Sequence, residues 1–198
     1  MTYTAYARAP FFVFSVRFVF MIVVLFGVGR PVAAEEAGFE ALFDGKTLDG
    51  WKASENADSW KVVDGELVCH GPRSHLFYIG KGAEPAEWKN FHFKAEVKTK
   101  PSANSGIYFH TKYQEAGWPS AGHEAQVNNT QKDPVRTGSL YNVVKNFDPP
   151  AKDDEWFTEE VIVEGNRIVI RVNDKTIVDH VEKTDQVKDG RKLSKGTF

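Results

Sequence analysis

Cysteine is almost missing from this 198-residue chain: Cys69 is the only one. An intramolecular disulfide and a cysteine-rich metal site are thereby excluded. In "GELVCHG" Cys69 falls in a strand pattern, where a small thiol is a core residue rather than a nucleophile. Basic excess is missing as well. The formal charge is −2, and no patch of Lys and Arg forms, so nucleic acid is not an expected partner. No long helical period, internal repeat or low-complexity tract appears. The phosphate loop, the dinucleotide fingerprint and the His-Glu-x-x-His motif are absent. No organic cofactor is expected. His70, His75, His110 and His123 lack a diagnostic metal spacing, and Ca²⁺ held by loop carbonyls and carboxylates stays open.

What is present is the composition of a folded domain, with aromatics at 13% and Gly and Pro gathered in turn-like clusters. The N-terminus reads as a secretory leader. Arg8 and Arg17 supply a positive region, "FVFMIVVLFGVG" (18–29) a short apolar run, and "PVAA" (31–34) small residues before "EEAG". Cleavage is expected after Ala34, which makes the product secreted or periplasmic without stable membrane insertion. An uncleaved anchor is the alternative, though Arg17 leaves the apolar stretch short for a membrane span. Taking Arg8, Arg17 and Arg30 from the 25 basic residues leaves 22 against 27 acids, a net of −5.

Residues 35–198 read as one domain of consecutive strands. "WKVVDGELVCH" (60–70) is a hairpin around Asp64-Gly65, and "HLFYIG" (75–80) follows. "FHFKAEVKT" (91–99) alternates Phe91, Phe93, Ala95 and Val97 with a solvated row that includes His92. "SGIYFHTKY" (105–113), "HEAQVNN" (123–129) and "SLYNVVK" (139–145) are further strands. Residues 155–181 predict three more, joined at Gly165-Asn166 and Asn173-Asp174. Short strands without intervening helices imply an all-β antiparallel sandwich of jelly-roll type.

Two strands carry unusual outer faces. With Ile107 and Phe109 in the core, Tyr108 and His110 look the other way; with Ala125 and Val127 inside, so do Glu124, Gln126 and Asn128. If the two strands are neighbours, these five side chains make a polar and aromatic floor suited to a sugar. Amides and carboxylates bond hydroxyls, and rings cover C–H faces. Trp118, in "AGWPSAGH", either caps the core or walls the pocket. A standard glycosidase needs two flanking carboxylates, and Glu-x-Gln-x-Asn supplies one.

Six segments in order, "LFDGKTLDGW" (42–51), "WKVVDGEL" (60–67), "KPSANSGIYFHT" (100–111), "GHEAQVNN" (122–129), "TGSLY" (137–141) and "EWFTEEVIVEGNRIVIRVNDK" (155–175), resemble the 3-keto-disaccharide hydrolase domain family. The resemblance covers nearly everything after the leader. It implies an exported concanavalin A-like lectin/glucanase sandwich that cleaves glycosides already oxidised to a ketone at sugar carbon 3. That ketone acidifies the hydrogen on carbon 2, so one base can form an enolate and expel the group on carbon 1. The implied site positions are Asn104, Tyr108, His110, Glu124, Gln126, Asn128 and Tyr141. Glu124 or His110 is the base, and the other polarises the ketone or protonates the departing group. Asn104, Gln126 and Asn128 hold hydroxyls; Tyr108 and Tyr141 pack on or bond the ring; Lys145 is a further candidate beside the floor. Many members carry Arg where His110 stands. Relatives also continue past a "GTF"-like start into strands that complete the sheet, so the 198-residue form is expected to lack its C-terminal strand or strands and to be poorly stable. Two other readings stand beside the enzyme: a non-catalytic carbohydrate-binding module, and an envelope interaction protein using the sheet as scaffold.

Overall fold

Alternation, turn residues and burial agree along most of the chain. The computed structural model describes residues 2–8, 38–84, 86–183 and 196–198. Its strands are β1 (Thr2–Arg8), β2 (Glu40–Ala41), β3 (Trp51–Ala53), β4 (Trp60–Val63), β5 (Glu66–Cys69), β6 (Leu76–Tyr78), β7 (Phe91–Lys98), β8 (Ser105–Phe109), β9 (His123–Val127), β10 (Phe157–Glu164), β11 (Arg167–Val172) and β12 (Lys175–Val181). All their pairings are antiparallel. One 3₁₀ turn, Ala57–Ser59, is the only helical element among the described residues.

The expected hairpins form. Asp64 and Gly65 both take positive φ and join β4 to β5 with Val63 opposite Glu66. Asn173 and Asp174 do the same between β11 and β12, with Val172 opposite Lys175. Two-residue turns with φ above zero match the right-handed twist of the strands they connect.

One layer is a large sheet in the order β12-β11-β10-β7-β1-β5-β4, with β2 also against β1. The other layer holds two ribbons, β3-β6 and β8-β9. Gly196–Phe198 ties the ribbons together: Thr197 bridges Thr111 beyond β8, and the Phe198 carbonyl accepts from Tyr78 N–H of β6 at 3.0 Å. Between the layers Phe91 and Phe93 of β7 meet Phe109 and Phe198, at ring separations of 5.9 and 4.5 Å. Ala125, Val127, Val161 and Val163 are fully buried around them. The result is the antiparallel β-sandwich anticipated from the strand pattern.

Two local expectations are corrected. Residues 139–145 are not a strand. Leu140 bridges Ala125, after which Asn142 turns the chain with φ 61° and Val144 N–H bonds back to the Leu140 carbonyl. His92 is not a bare solvated residue, because its Nε2 lies 2.9 Å from Glu160 Oε2 on the neighbouring β10. Within the expected leader, the backbone of Thr2–Arg8 pairs with β7 from Thr2–Lys98 to Arg8–His92. The apolar run at 18–29 and the cleavage position after Ala34 lie outside the described residues.

Candidate functional site

β8 and β9 pair as the outer-face pattern requires. Tyr108 sits opposite Glu124, and Gly106 opposite Gln126. Gly106 makes room for the acid. A Cβ at that position would lie 2.8 Å from Glu124 Cδ, so only glycine lets the carboxylate lie across β8. Asn104, just before the strand, accepts a 2.6 Å hydrogen bond at Oδ1 from Gln126 Nε2. Gln126 is 2% exposed and spends its amide on this contact. It positions Asn104 rather than reaching a ligand itself.

These residues open onto a groove of about 850 Å³ lined by Asn104, Gly106, Tyr108, Glu124 and Trp118 together with Arg73 and His75. Trp118 is 59% exposed and lines the groove rather than capping the core. Arg73 lies 5.4 Å from the Trp118 ring centre and pairs with Glu55 at 2.6 Å. Glu55 also accepts from Gly117 N–H, so one carboxylate anchors both rim loops. The Arg73 hydrogen bond holds the Glu55 carboxyl below its ordinary range.

His75 belongs to this site although the outer-face argument passed over it. Its ring stands edge-on to Tyr108 at 5.7 Å and to Trp118 at 5.3 Å. Its Nδ1 is buried and has no hydrogen-bond partner. Burial first, then the nearby Arg73 charge, push its pKa below the ordinary histidine value. The signal was present: in "HLFYIG", Leu76 and Tyr78 pack against the core, so His75 and Phe77 share the other face by period two.

Several expected site residues are elsewhere. His110 does not join the floor. It takes φ 52° at the end of β8, where Gly122 comes so near that a Cβ there would sit 2.8 Å from the His110 carbonyl carbon. The left-handed residue breaks the alternation, and the ring turns inward. It is 2% exposed, edge-on to Phe91 at 5.5 Å, and Nε2 contacts the Lys89 carbonyl at 2.9 Å. Burial lowers its pKa. Asn128 is fully buried and organises the following loop. Its Nδ2 donates to the Asp133 and Val135 carbonyls, and its Oδ1 accepts from Gln131 N–H. It is not available to a sugar. Tyr141 follows the Leu140 bridge, takes the Glu124 carbonyl with its own N–H, and donates its hydroxyl to Asp133 Oδ2 at 3.2 Å. Burial and then the Asp133 charge raise its pKa. Neither Tyr141 nor the exposed Lys145 lines the groove. Among the described residues, no three His, Cys, Asp or Glu side chains gather as a metal cluster.

A 3-keto-disaccharide hydrolase of Bacteroides thetaiotaomicron is 25% identical over 191 residues, 83% of this chain. The chain spans 65% of the length of that curated relative. A crystal structure of a candidate glycosyl hydrolase from Parabacteroides distasonis superposes with a TM-score of 0.64 at 20% identity, covering 80% of this chain and 84% of the other. The carbohydrate-binding module CBM66 of Bacillus subtilis does so with a TM-score of 0.51 at 16% identity, covering 75% and 84%. These two likenesses show the sandwich fold. The family profile matches residues 38–198, and the chain belongs to the 3-keto-alpha-glucoside-1,2-lyase-like domain family.

Proposed function

We propose that the protein is an exported enzyme that cleaves 3-keto-glycosides by removing the proton on sugar carbon 2 and expelling the group on carbon 1. The observation that carries this reading is the acid content of the groove. Glu124 is the one carboxylate among its described lining residues. Ordinary glycoside hydrolysis calls for two carboxyl groups across the bond. A substrate that already carries a ketone needs one base, and Glu124, laid across Gly106 beside Tyr108, fills that role. Asn104, held by Gln126, bonds a sugar hydroxyl, and Trp118 covers a ring face. The membership of the family and the name of the Bacteroides relative favour the same substrate class.

A second reading, a carbohydrate-binding module without turnover, draws on the exposed Trp118 and on the likeness to CBM66. One experiment separates the two. The protein is mixed in deuterated water with a 3-keto-disaccharide and with its unoxidised parent, and both are followed by NMR. Cleavage of the keto sugar alone, with deuterium entering at carbon 2, is the expected result. Line broadening of either sugar without cleavage would move the assignment to the binding module.

A further inference from the structure

His75, just before β6, Tyr108 of β8 and Glu124 of β9 are neighbours in turn. Glu124 on β9 is the direct cross-strand partner of Tyr108 on β8, and the Tyr108 ring meets His75, at the head of β6, from the other side. All three line the groove. His75 is held there without polar contacts to its buried nitrogen. Nδ1 is sealed from water with no partner, and the ring is wedged between Tyr108 and Trp118. A sealed Nδ1 leaves Nε2 as the nitrogen that can serve a ligand. The charged groups nearest the ring, Arg73 and Glu55, are spent on each other.

We propose that His75 is a catalytic residue that donates a hydrogen bond through Nε2–H to the ketone oxygen on sugar carbon 3, and that holds the enolate formed there. The proposal rests on the 3-keto-glycoside reading above. Glu124 takes the proton from carbon 2, the C–H electron pair becomes the C2–C3 double bond, and the carbonyl π pair moves onto the oxygen facing His75. When an oxygen pair re-forms the carbonyl, the C2–C3 pair becomes a C1–C2 double bond and the C1–O bond breaks, its electrons leaving with the departing oxygen. A water molecule supplies its proton to the departing oxygen and its hydroxide to carbon 1, and Glu124, having exchanged its proton with solvent, protonates carbon 2. Atoms balance as hydrolysis, and His75 neither gains nor loses a proton. An imidazole that stays neutral suits this task, because it donates without competing to protonate the base. The lowered pKa of His75 keeps it in that form at neutral pH.

The test compares wild type, His75→Phe and His75→Gln for deuterium entry at carbon 2 and for cleavage of a 3-keto-disaccharide. Loss of one preorganised donor to a developing oxyanion costs about 100-fold. His75→Phe is expected to lose that much in both readouts with little change in KM, and His75→Gln, whose amide can still donate, to recover part of it. His75→Phe within about twofold of wild type, or His75→Gln no better than His75→Phe, overturns the proposal. A readout independent of these variants is the ¹⁵N signal of His75 Nε2 in the wild-type protein. It should move on binding a 3-keto-1-deoxy sugar, which has no departing group, and an unmoved signal also overturns the proposal. If wild type cleaves the keto sugar without deuterium entry, the elimination reading falls and the His75 role with it. If wild type exchanges normally and only the His75 results fail, the elimination reading stands alone.

Discussion

Gly106 on β8 lies directly under the Glu124 side chain, close enough that a Cβ at 106 would sit 2.8 Å from Glu124 Cδ. Gly106→Ala therefore pushes the carboxylate off its seat while leaving the strand pairing intact. Misplacing a base by an ångström costs on the order of 100-fold in rate. The expected outcome is a fall in kcat of that order, with the cooperative melt retained. Unchanged kcat would show that Glu124 does not need this position.

Glu124→Gln keeps the shape of the side chain and removes the base. Turnover of a 3-keto-disaccharide should fall by at least about 100-fold, while its Kd, read by calorimetry, stays within about tenfold. Near-normal turnover would remove Glu124 from the mechanism.

Trp118 is 59% exposed, so Trp118→Ala should leave the melting temperature unchanged. Sugar affinity should weaken by about 3- to 10-fold through loss of the ring face. Equal affinity in the variant would make Trp118 a bystander on the rim.

His110 is 2% exposed and bonds the Lys89 carbonyl away from the groove. His110→Leu leaves that carbonyl unpaired and should cost about 1–3 kcal/mol of stability in urea unfolding. Turnover per folded molecule should stay at the wild-type value. A selective loss of kcat would return His110 to the site.

Glu159 is fully buried between Ala95 of β7 and Val172 of β11; the nearby Gly138 N–H is committed to the Gln126 carbonyl, and neither carboxyl oxygen has a well-formed hydrogen bond. Burial raises its pKa well above 4.5; the Gly138 N–H nearby opposes this weakly, and the Glu124 charge adds a smaller push. The folded protein therefore keeps this proton while the unfolded chain releases it once pH passes 4.5. Stability falls as pH rises from there to the folded-state pKa, by up to ~1.4 kcal/mol per pH unit. Glu159→Gln removes that penalty. The variant should melt above wild type at pH 8, with the gap closing toward pH 5; a gap that does not change with pH would refute the buried neutral acid.

Much of this molecule was legible in its sequence because local chemistry decides it. Phe91, Phe93, Ala95 and Val97 alternate with polar residues and all four are buried. Asp64-Gly65 and Asn173-Asp174 can take positive φ, and they turn where they stand. Tyr108 and Glu124 share an outer face, and they pair. The same logic failed wherever one residue left the regular backbone. His110 follows the strand pattern up to φ 52°, which alternation cannot register, and Asn142 ends a strand that the apolar residues around it suggested.

The sequence by itself therefore determined the strands, their turns and the inward row of each, since these depend on residues a few positions apart. Only the tertiary structure decided which outer-face residues meet. It brought His75 beside Tyr108, drew Asn128 into its own loop, folded His110 into the core and laid Glu124 over Gly106. Period two says on which side of a strand a side chain stands. Which strand lies next to it, and how closely two backbones approach, is set by pairing between segments far apart in the chain.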